Sequence, residues 1–458
     1  MILAPVRARF AFAEGRIDAK YHCSPGVLAS EHMLLLKAAG AEFRSIAGVG
    51  GLGDVGATSR TKRVYAAKGE ESVPYLRPYD IFDYVPQAAD LLSKAGSSGL
   101  DRLVPEPGTI LQTCSGRNLG PLAYADAFIS RFVVSDDMLR LHIDDESDRL
   151  YTLAFLSTTT GQALLTRNKT GNVIDHLSAN DLGALEVPFI DDELTGGVVA
   201  NVRHAVATRE AARVRLDNLI SDFSSTLPEP VRGDQLPDGW TQRASKLAGR
   251  LDAAFYDPLV ARIRDAMRAA GGVRVGDVAE TFMPDRYKRR YVAAEHGRCI
   301  VSGRQLLQTK PVNLQYIAAT SLDFSAYALQ EGTIAFGARG RAEDRISQPA
   351  LITTDRSEWL ASHNVMRVRP KPGVNPGWLY LCFAAWQVQA QVKAGAFGSV
   401  VDVVDPGGLN EVLLPPPDEV RGDAALQCWR DFSTATQMET DAVQGLEAAI
   451  LQAAGATF

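Results

Sequence analysis

The sequence contains two copies of one pattern, and this duplication constrains its fold more than any other feature. Five short phrases recur in the same order, at offsets of 223 to 234 residues. Agreement over so many phrases is hard to obtain by chance, and small changes of offset are what loop insertions produce. The chain is therefore predicted to be a tandem duplication of a unit of roughly 225 residues, long enough for each copy to be a domain. The recurring pairs are RIDAKY (16–21) and RLDAAF (250–255), LGDV (52–55) and VGDV (275–278), GTI (108–110) and GTI (332–334), GNVID (171–175) and GSVVD (398–402), and LGALEVP (182–188) and LNEVLLP (409–415).

Each copy has the same internal plan. Its first ~170 residues alternate short β-type runs with turns rich in Gly, Pro, Asp and Asn, interrupted by one or two helical stretches. Its last ~35 residues contain no proline and carry apolar residues at helical spacing, which predicts long helices at 195–223 and 421–452. Segment 225–240 contains three prolines and two glycines, a composition typical of a linker.

These patterns predict an α+β fold with two similar β-rich domains related by pseudo-twofold symmetry. The two long helices are expected to pack antiparallel, like a coiled coil, and to separate the domains as a spacer. The alternative interpretation is that each helix only caps its own domain. The predicted boundaries are 1–190 for the first domain, 191–224 for the first helix, 225–249 for the linker, 250–417 for the second domain and 418–458 for the second helix.

Composition excludes several classes of protein. Hydrophobic residues make up 46% and charged residues 22%, which is typical of a folded protein. No stretch approaches the ~18 apolar residues that span a bilayer, and Arg7 and Arg9 interrupt the apolar N-terminus, which argues against export. The five cysteines form no C-x-x-C pair and the seven histidines show no ligand spacing. We therefore expect a cytoplasmic protein with reduced thiols, no metal site and no membrane association.

No motif supports catalysis or cofactor binding. Residues 48–53 match G-x-G-x-x-G, but no amphipathic helix follows them and the second copy lacks the pattern, which favours a glycine-rich turn over a dinucleotide site. Cys114 is followed by Ser115, yet its repeat partner is Ala338 and no histidine recurs at a matching place, which favours a core or loop cysteine. We expect no cofactor and no catalytic residue, so the chain is predicted not to be an enzyme.

Basic residues recur at matching places in both copies. A basic run follows the G-D-V phrase, and a glycine-rich turn follows the G-T-I strand. Lysine and arginine neutralise phosphates, while Arg and Asn on rigid turns can reach base edges through paired hydrogen bonds. The alternative is a solvated loop or a local salt-bridge surface, but recurrence at equal spacing favours DNA. The predicted DNA-binding residues are Arg60, Lys62, Arg63, Ser115, Arg117 and Asn118 in the first copy, and Arg286, Tyr287, Lys288, Arg289, Arg290, Arg339, Arg341 and Arg345 in the second.

Taken together, the phrases resemble those of the specificity subunits of type I restriction–modification systems. Each half of such a subunit begins with R-[IL]-D-A-x-[YF], contains a strand close to G-D-[IV]-L, and ends with L-x-x-[LIV]-x-[LIV]-P before a long helix. The likeness covers residues 16–223 and 250–452. There are two departures: Thr109 and Thr333 replace the aspartate of G-D-[IV]-L, and the usual P-P-L-x-E-Q is present only as PFIDDE and PPPDEV.

The resemblance implies a non-catalytic subunit for phage defence. Each β-rich domain would be a target recognition domain that reads half of a bipartite site in double-stranded DNA. The helix pair, about 45 Å long, would set a gap of roughly 13 base pairs. Two methyltransferase subunits, which methylate adenine N6, would dock on the chain, with or without a motor–nuclease subunit. Three alternatives stay open: a duplicated protein–protein scaffold, an enzyme that uses Cys114 or an unrecognised site, and the specificity chain of a methylation-only system.

Overall fold

The structure, a computed structural model, describes residues 19–116, 119–169, 175–228, 239–247, 249–318, 324–340, 346–398 and 400–455. In it the chain forms two compact units: unit 1 comprises residues 1–210 with 434–458, and unit 2 comprises residues 211–433. Both units combine β-sheets with helices, which confirms the predicted α+β class. The predicted linker lies partly outside the described residues, and the five predicted boundaries remain a prediction.

Unit 1 is built around a four-stranded antiparallel sheet of order β2-β8-β5-β6. A second sheet has the order β4-β3-β7, with β3 and β7 parallel, and β1 pairs with β9. The strands are β1 Glu42–Ser45, β2 Asp54–Ala57, β3 Ser72–Leu76, β4 Asp90–Ser93, β5 Ile110–Thr113, β6 Leu122–Tyr124, β7 Val133–Val134, β8 Met138–His142 and β9 Glu186–Phe189. The helices are α1 Ala19–His22, α2 Gly26–Ala38, α3 Glu146–Ser157, α4 Thr159–Arg167, α5 Ala179–Gly183 and the long α6 Asp192–Thr226, which continues into unit 2.

One apolar core holds unit 1 together. Leu141 on β8 and Phe155 on α3 are fully buried in it, together with Leu36 on α2. Val202 on α6 and Leu446 on the last helix belong to the same cluster. The two long helices therefore share the core of the sheet against which they pack, and burial of these side chains stabilises both.

Unit 2 repeats this arrangement. Its main sheet has the order β11-β19-β15-β17, and a second sheet, β12-β14-β13-β18, contains the parallel pair β13–β18; β10 pairs with β21, and β16 with β20. The strands are β10 Val273–Arg274, β11 Ala279–Phe282, β12 Tyr291–Val292, β13 Gly297–Val301, β14 Gln315–Ala318, β15 Ile334–Gly337, β16 Arg339–Gly340, β17 Ala350–Leu351, β18 Leu360–Ala361, β19 Val365–Pro370, β20 Asp402–Val403 and β21 Leu413–Leu414. The helices are α7 Pro258–Ala269, α8 Val275–Val278, α9 Pro376–Ala384, α10 Trp386–Gly395, α11 Pro406–Asn410 and α12 Glu419–Ala453.

The main elements of the two units correspond, which confirms the predicted duplication. The four strands of each main sheet pair in the same order, and each second sheet contains one parallel pair at the same place. The long helices α6 and α12 have 35 residues each and begin 227 residues apart. Two copies of one folding pattern therefore produce two copies of one topology, because the same alternation of strands and helices allows the same packing.

Both predicted long helices are present and slightly longer than the apolar periodicity indicated. Aspartates cap the N-termini of both helices. Asp191 accepts a hydrogen bond from the backbone N–H of Leu194 at 2.8 Å, and Asp418 accepts one from the backbone N–H of Arg421 at 2.9 Å. A carboxylate at this position satisfies an N–H that lacks an intrahelical partner and interacts favourably with the helix dipole.

Within each unit the two long helices are antiparallel, as predicted. In unit 1 the guanidinium of Arg209 pairs with Glu439 at 2.5 Å, while Val202, earlier on α6, shares a core with Leu446, later on α12. In unit 2, Arg215 pairs with Asp431. Residues that come later along α6 contact residues that come earlier along α12. The helices therefore pack on each other in opposite directions, as well as on their sheets.

None of the helices in the described ranges is both long and apolar enough to span a bilayer. Within the same ranges, no group of three or more His, Cys, Asp and Glu side chains is placed to hold a metal ion.

Candidate nucleic-acid interface

In unit 2 the basic run that follows β11 is anchored to the turn before β19. Arg289 donates to the Oγ of Ser362 and to the Nδ1 of His363, both at 3.2 Å. The ring of Tyr287 packs edge-on against Tyr327, with centroids 4.3 Å apart, inside a small apolar cluster. The run is therefore held against the sheet by Tyr287 and Arg289, while its other cations stay exposed.

Both predicted basic segments of unit 2 approach the turn that contains His363: Arg289 donates to its ring, and the backbone N–H of Ala338, next to Arg339, donates to the carbonyl of Asn364 at 2.9 Å. Partial burial and the arginines Arg289, Arg339, Arg286 and Arg367 all lower the pKa of its imidazole. Arg286 comes from the basic run, whereas Arg339 follows strand β15, so two segments about 50 residues apart in sequence act on one ring. We call Arg286, Arg289, Arg339 and His363 the arginine cluster.

A buried arginine lies beneath this cluster. Arg367 on β19 is 1% exposed and donates to the backbone carbonyls of Ser362, Val365, Tyr327 and Ala361. Burial lowers its pKa to about 10. Its hydrogen bonds go to neutral carbonyls, and among the described residues none of the cluster arginines is paired with a carboxylate. The cluster consequently carries positive charge that no described carboxylate neutralises, which favours an anion beside it.

In unit 1 an arginine of the matching basic run also contacts the turn before the matching strand, but there the turn supplies a carboxylate that neutralises it. Arg63, in the matching basic run, donates to the hydroxyl of Tyr75 at 2.6 Å and pairs with Asp136 at 3.2 Å. The carboxylate of Asp136 is nearly buried and also accepts from the backbone N–H of Thr61. Although partial burial opposes it, the interaction with Tyr75 and Asp136 raises the pKa of Arg63. The contacts of Arg63 are therefore those of a local salt bridge and not those of a cation that is free to bind DNA.

The turns that receive these arginines were not among the residues predicted from the sequence. Ser135-Asp136-Asp137 precedes β8 and Ser362-His363-Asn364 precedes β19, 227 residues later. In both turns the serine Oγ accepts from the backbone N–H two residues on, at 3.2 Å. Their equal offset could have identified them, but SDDM and SHNV share too few letters to stand out as a repeat.

The glycine-rich turns approach the same places. Ser115 forms an antiparallel bridge with His176, and its hydroxyl donates to the carboxylate of Asp137 at 3.3 Å. In unit 2, Arg339 lies on the short strand β16, where pairing with Val403 extends the chain instead of leaving it in a turn. In each unit the end of the G-T-I strand therefore lies beside the serine-containing turn, which precedes β8 in unit 1 and β19 in unit 2.

The other predicted residues are either exposed or outside the described chain. Exposed cations without a bonded acidic partner can reach a ligand without first breaking an ion pair. Those exposed are Arg60, Lys62, Lys288 and Arg290. Those outside the described residues are Arg117, Asn118, Arg341 and Arg345.

Cys114 does not have the surroundings of a nucleophile. Burial, and then the charge of Asp137, raise the pKa of its thiol. Reactive cysteines depend on the thiolate, which forms at neutral pH only when the pKa is lowered. This disfavours the alternative of an enzyme that uses Cys114.

The comparisons with known proteins are confined to solved structures, since no family model and no curated protein matches the chain. It is similar to the S subunit of a type I restriction–modification system from M. genitalium, at 11% identity over 90% of this chain and 96% of that one, with a TM-score of 0.33. It is also similar to the HsdS subunit from Thermoanaerobacter tengcongensis, at 14% identity over 91% and 96%, with a TM-score of 0.28. A third similar chain comes from a structure that describes complex assembly and conformational transition of the type I R-M system. It is 15% identical over 91% of this chain and 98% of that one, with a TM-score of 0.28.

Proposed function

We propose that this chain is the DNA-recognition subunit of a type I restriction–modification complex, in which each unit reads one half of a bipartite site. The observation that carries the proposal is the arginine cluster of unit 2. It combines three guanidinium groups from two separate segments, and no described carboxylate neutralises them. Arginine suits both phosphate oxygens and the O6 and N7 edge of guanine, because its donors form a planar fork.

Duplication supports a site with two halves. Two units with one topology present equivalent surfaces, so each can contact its own short stretch of duplex. The units should nevertheless contribute differently. We expect the cluster of unit 2 to bind phosphate, whereas in unit 1 Asp136 already neutralises Arg63, which leaves Arg60 and Lys62 as the exposed cations of the run. Binding through unit 2 should accordingly show the steeper dependence on salt.

The partners follow from the same proposal. A DNA-recognition subunit of this kind would act with methyltransferase subunits that modify adenine N6, and a motor–nuclease subunit would complete a restriction complex. The two halves of the site would be separated by a constant gap, because one pair of 35-residue helices is common to every complex of this chain.

Selection from random DNA tests this proposal. The purified full-length chain, alone and with a methyltransferase subunit encoded beside its gene, would be incubated with a pool of random duplexes, and the bound sequences would be determined. A consensus of two short boxes with a constant gap is the expected result. Enrichment without any consensus, at salt concentrations where binding persists, would contradict sequence recognition and favour the duplicated protein–protein scaffold.

DNA binding should become tighter as the pH falls from about 7.5 to 6. The arginines and partial burial hold the pKa of His363 below its usual value, so the free imidazole is mostly neutral at neutral pH. A phosphate in the cluster would favour the protonated ring, and binding would then take up a proton. His363→Asn removes this titration while keeping a polar side chain. The check is fluorescence anisotropy with a labelled duplex at constant ionic strength; equal pH profiles for the two proteins would contradict the linkage.

A further inference from the structure

A cavity of about 780 Å³ lies inside unit 2, next to the RLDAAF phrase that opens the second copy. Arg250, Asp252 and Phe255 from that phrase line one side of it, and helix α10 with the segment around α11 lines the other. Ligand sites in proteins commonly have volumes of about 300–1,000 Å³ and mostly apolar walls with a few polar groups. The cavity has this size and composition, and the proposed DNA-reading residues lie elsewhere in the unit.

Arg250 forms part of the wall, and four of its five N–H donors are used by protein acceptors. Its guanidinium pairs with Asp252 and donates to the backbone carbonyl of Gly395 at 2.7 Å and to that of Ala396 at 3.2 Å. Its Cζ lies 4.4 Å from the centre of the Phe255 ring. These contacts hold the RLDAAF phrase against the end of α10. In this copy the Arg, the Asp and the aromatic residue of the repeated motif therefore have a structural role.

Arg264 on α7 is different. Its Cζ lies 5.2 Å from the centre of the Phe255 ring, and in the described part of the chain no carboxylate or carbonyl accepts a hydrogen bond from it. Burial, followed by the charges of Arg250 and Arg268, lowers its pKa. A half-buried guanidinium that keeps its charge without an acceptor is destabilising unless an anion comes beside it.

The carboxylates that line the cavity are already committed to protein groups. Asp252 pairs with Arg250, Asp405 accepts from the backbone N–H of Gly408 at 3.0 Å, and Glu411 pairs with Arg274 at 3.4 Å. Among the described residues, each of these carboxylates has at least one protein donor, whereas Arg264 has no acceptor. An anionic ligand would therefore find an unpaired guanidinium in Arg264.

Unit 1 provides an internal comparison. Tyr21 and Ser30 stand 234 residues before Phe255 and Arg264, the offset of the repeated phrase. There, Arg167 lies over the Tyr21 ring at 4.3 Å and donates to the hydroxyl of Ser30 at 2.6 Å. The guanidinium of unit 1 thus has an acceptor within the protein, although its Nε is buried without a partner. In unit 2 the arginine beside the aromatic ring, Arg264, stands at the position of the serine, and no described residue accepts a hydrogen bond from it.

We propose that this cavity binds an apolar anion: a single carboxylate on an aromatic or branched aliphatic body. The carboxylate would accept a paired hydrogen bond from Arg264, and the apolar body would lie along Phe255, Val392 and Val412. The carboxylate can belong to a free small molecule or to an acidic side chain of a partner polypeptide. This inference does not depend on DNA recognition.

Titration of the full-length chain with 11-(dansylamino)undecanoate, a fluorescent fatty acid, tests the site. We expect saturable binding that weakens about tenfold or more in Arg264→Gln, because the paired charged hydrogen bond is lost. Gly395→Val should weaken it as well, since an added Cβ at Gly395 meets no atom within 4 Å and the side chain occupies the cavity. Arg268→Gln is the matched control, because Arg268 is exposed and pairs with Asp265 on the same helix.

Displacement identifies the source of the carboxylate. Acetyl-Phe-Asp-Leu-amide, whose only carboxylate is a side chain, should displace the probe if the natural ligand is a polypeptide; failure to displace, with binding of the probe intact, assigns the site to small molecules. Absence of saturation below about 1 mM in the wild type would overturn the proposal. So would equal affinity in the wild type, Arg264→Gln and Gly395→Val, with circular dichroism verifying that all three are folded.

Discussion

The double variant Arg289→Gln/Arg339→Gln is expected to bind duplex DNA about 10- to 100-fold more weakly than the wild type at 0.15 M salt. Both substitutions keep polar side chains of similar length but remove two charges that lie beside His363 and have no acidic partner among the described residues. The variant would make about two fewer phosphate contacts and so would release about two fewer counterions on binding. The negative slope of log affinity against log salt should therefore become shallower by about two. Fluorescence anisotropy between about 50 and 300 mM salt measures both quantities.

Two controls separate this effect from a general loss of charge. Arg268→Gln/Arg298→Gln removes an exposed and a partly exposed arginine of the same unit that already pair with Asp265 and Glu358, and it should change the affinity little. His363→Asp copies the residue found at the matching position of unit 1 and should weaken binding by placing a carboxylate beside the arginines. If both double variants bind alike, the arginine cluster is not the DNA contact.

Glu439→Leu is expected to lower the free energy of unfolding of unit 1 by about 3–5 kcal/mol. The side chains of Arg209 and Glu439 are 12% and 5% exposed, so removal of the carboxylate leaves a guanidinium charge with little access to water. Adding Arg209→Met should recover most of the loss, because an apolar pair of similar volume needs no neutralisation. Urea unfolding followed by circular dichroism measures each variant and the interaction between the two substitutions.

A second ion pair between the long helices, in unit 2, provides the control. Arg215 and Asp431 also join α6 to α12, but the Arg215 side chain is 54% exposed. Water screens such a pair, so Asp431→Leu should change the free energy of unfolding by no more than about 1 kcal/mol. Equal effects of Glu439→Leu and Asp431→Leu would show that burial does not decide the strength of these ion pairs.

Much of the fold could be predicted from local patterns. The order of phrases predicted the duplication, and freedom from proline with helical spacing predicted α6 and α12 to within three residues at each end. These features depend on residues close in sequence, since helix periodicity and turn chemistry act over a few positions. The capping aspartates, Asp191 and Asp418, account for part of the remaining difference because they lie before the apolar pattern starts.

The candidate site was predictable only in part. The sequence indicates which segments carry Arg63, Arg289 and Arg339, but it does not show what each guanidinium touches. The contacts that decide this join residues about 73 positions apart: Arg63 with Asp136, and Arg289 with His363. Neither partner belongs to a basic run or a repeated phrase, so a motif search passes over both.

Sequence alone thus determined two copies of an α+β unit, two long helices and two recurring basic segments, because periodicity, turn residues and repetition are properties of neighbouring positions. Tertiary structure decided that equivalent arginines have opposite surroundings: a buried carboxylate in unit 1 and, in unit 2, a cluster that no described carboxylate neutralises. It also decided that Arg264 faces a cavity in which no described residue accepts a hydrogen bond from it. The physical reason is that electrostatic interactions depend on distance and burial in space, and strand pairing brings together charges that the chain order separates.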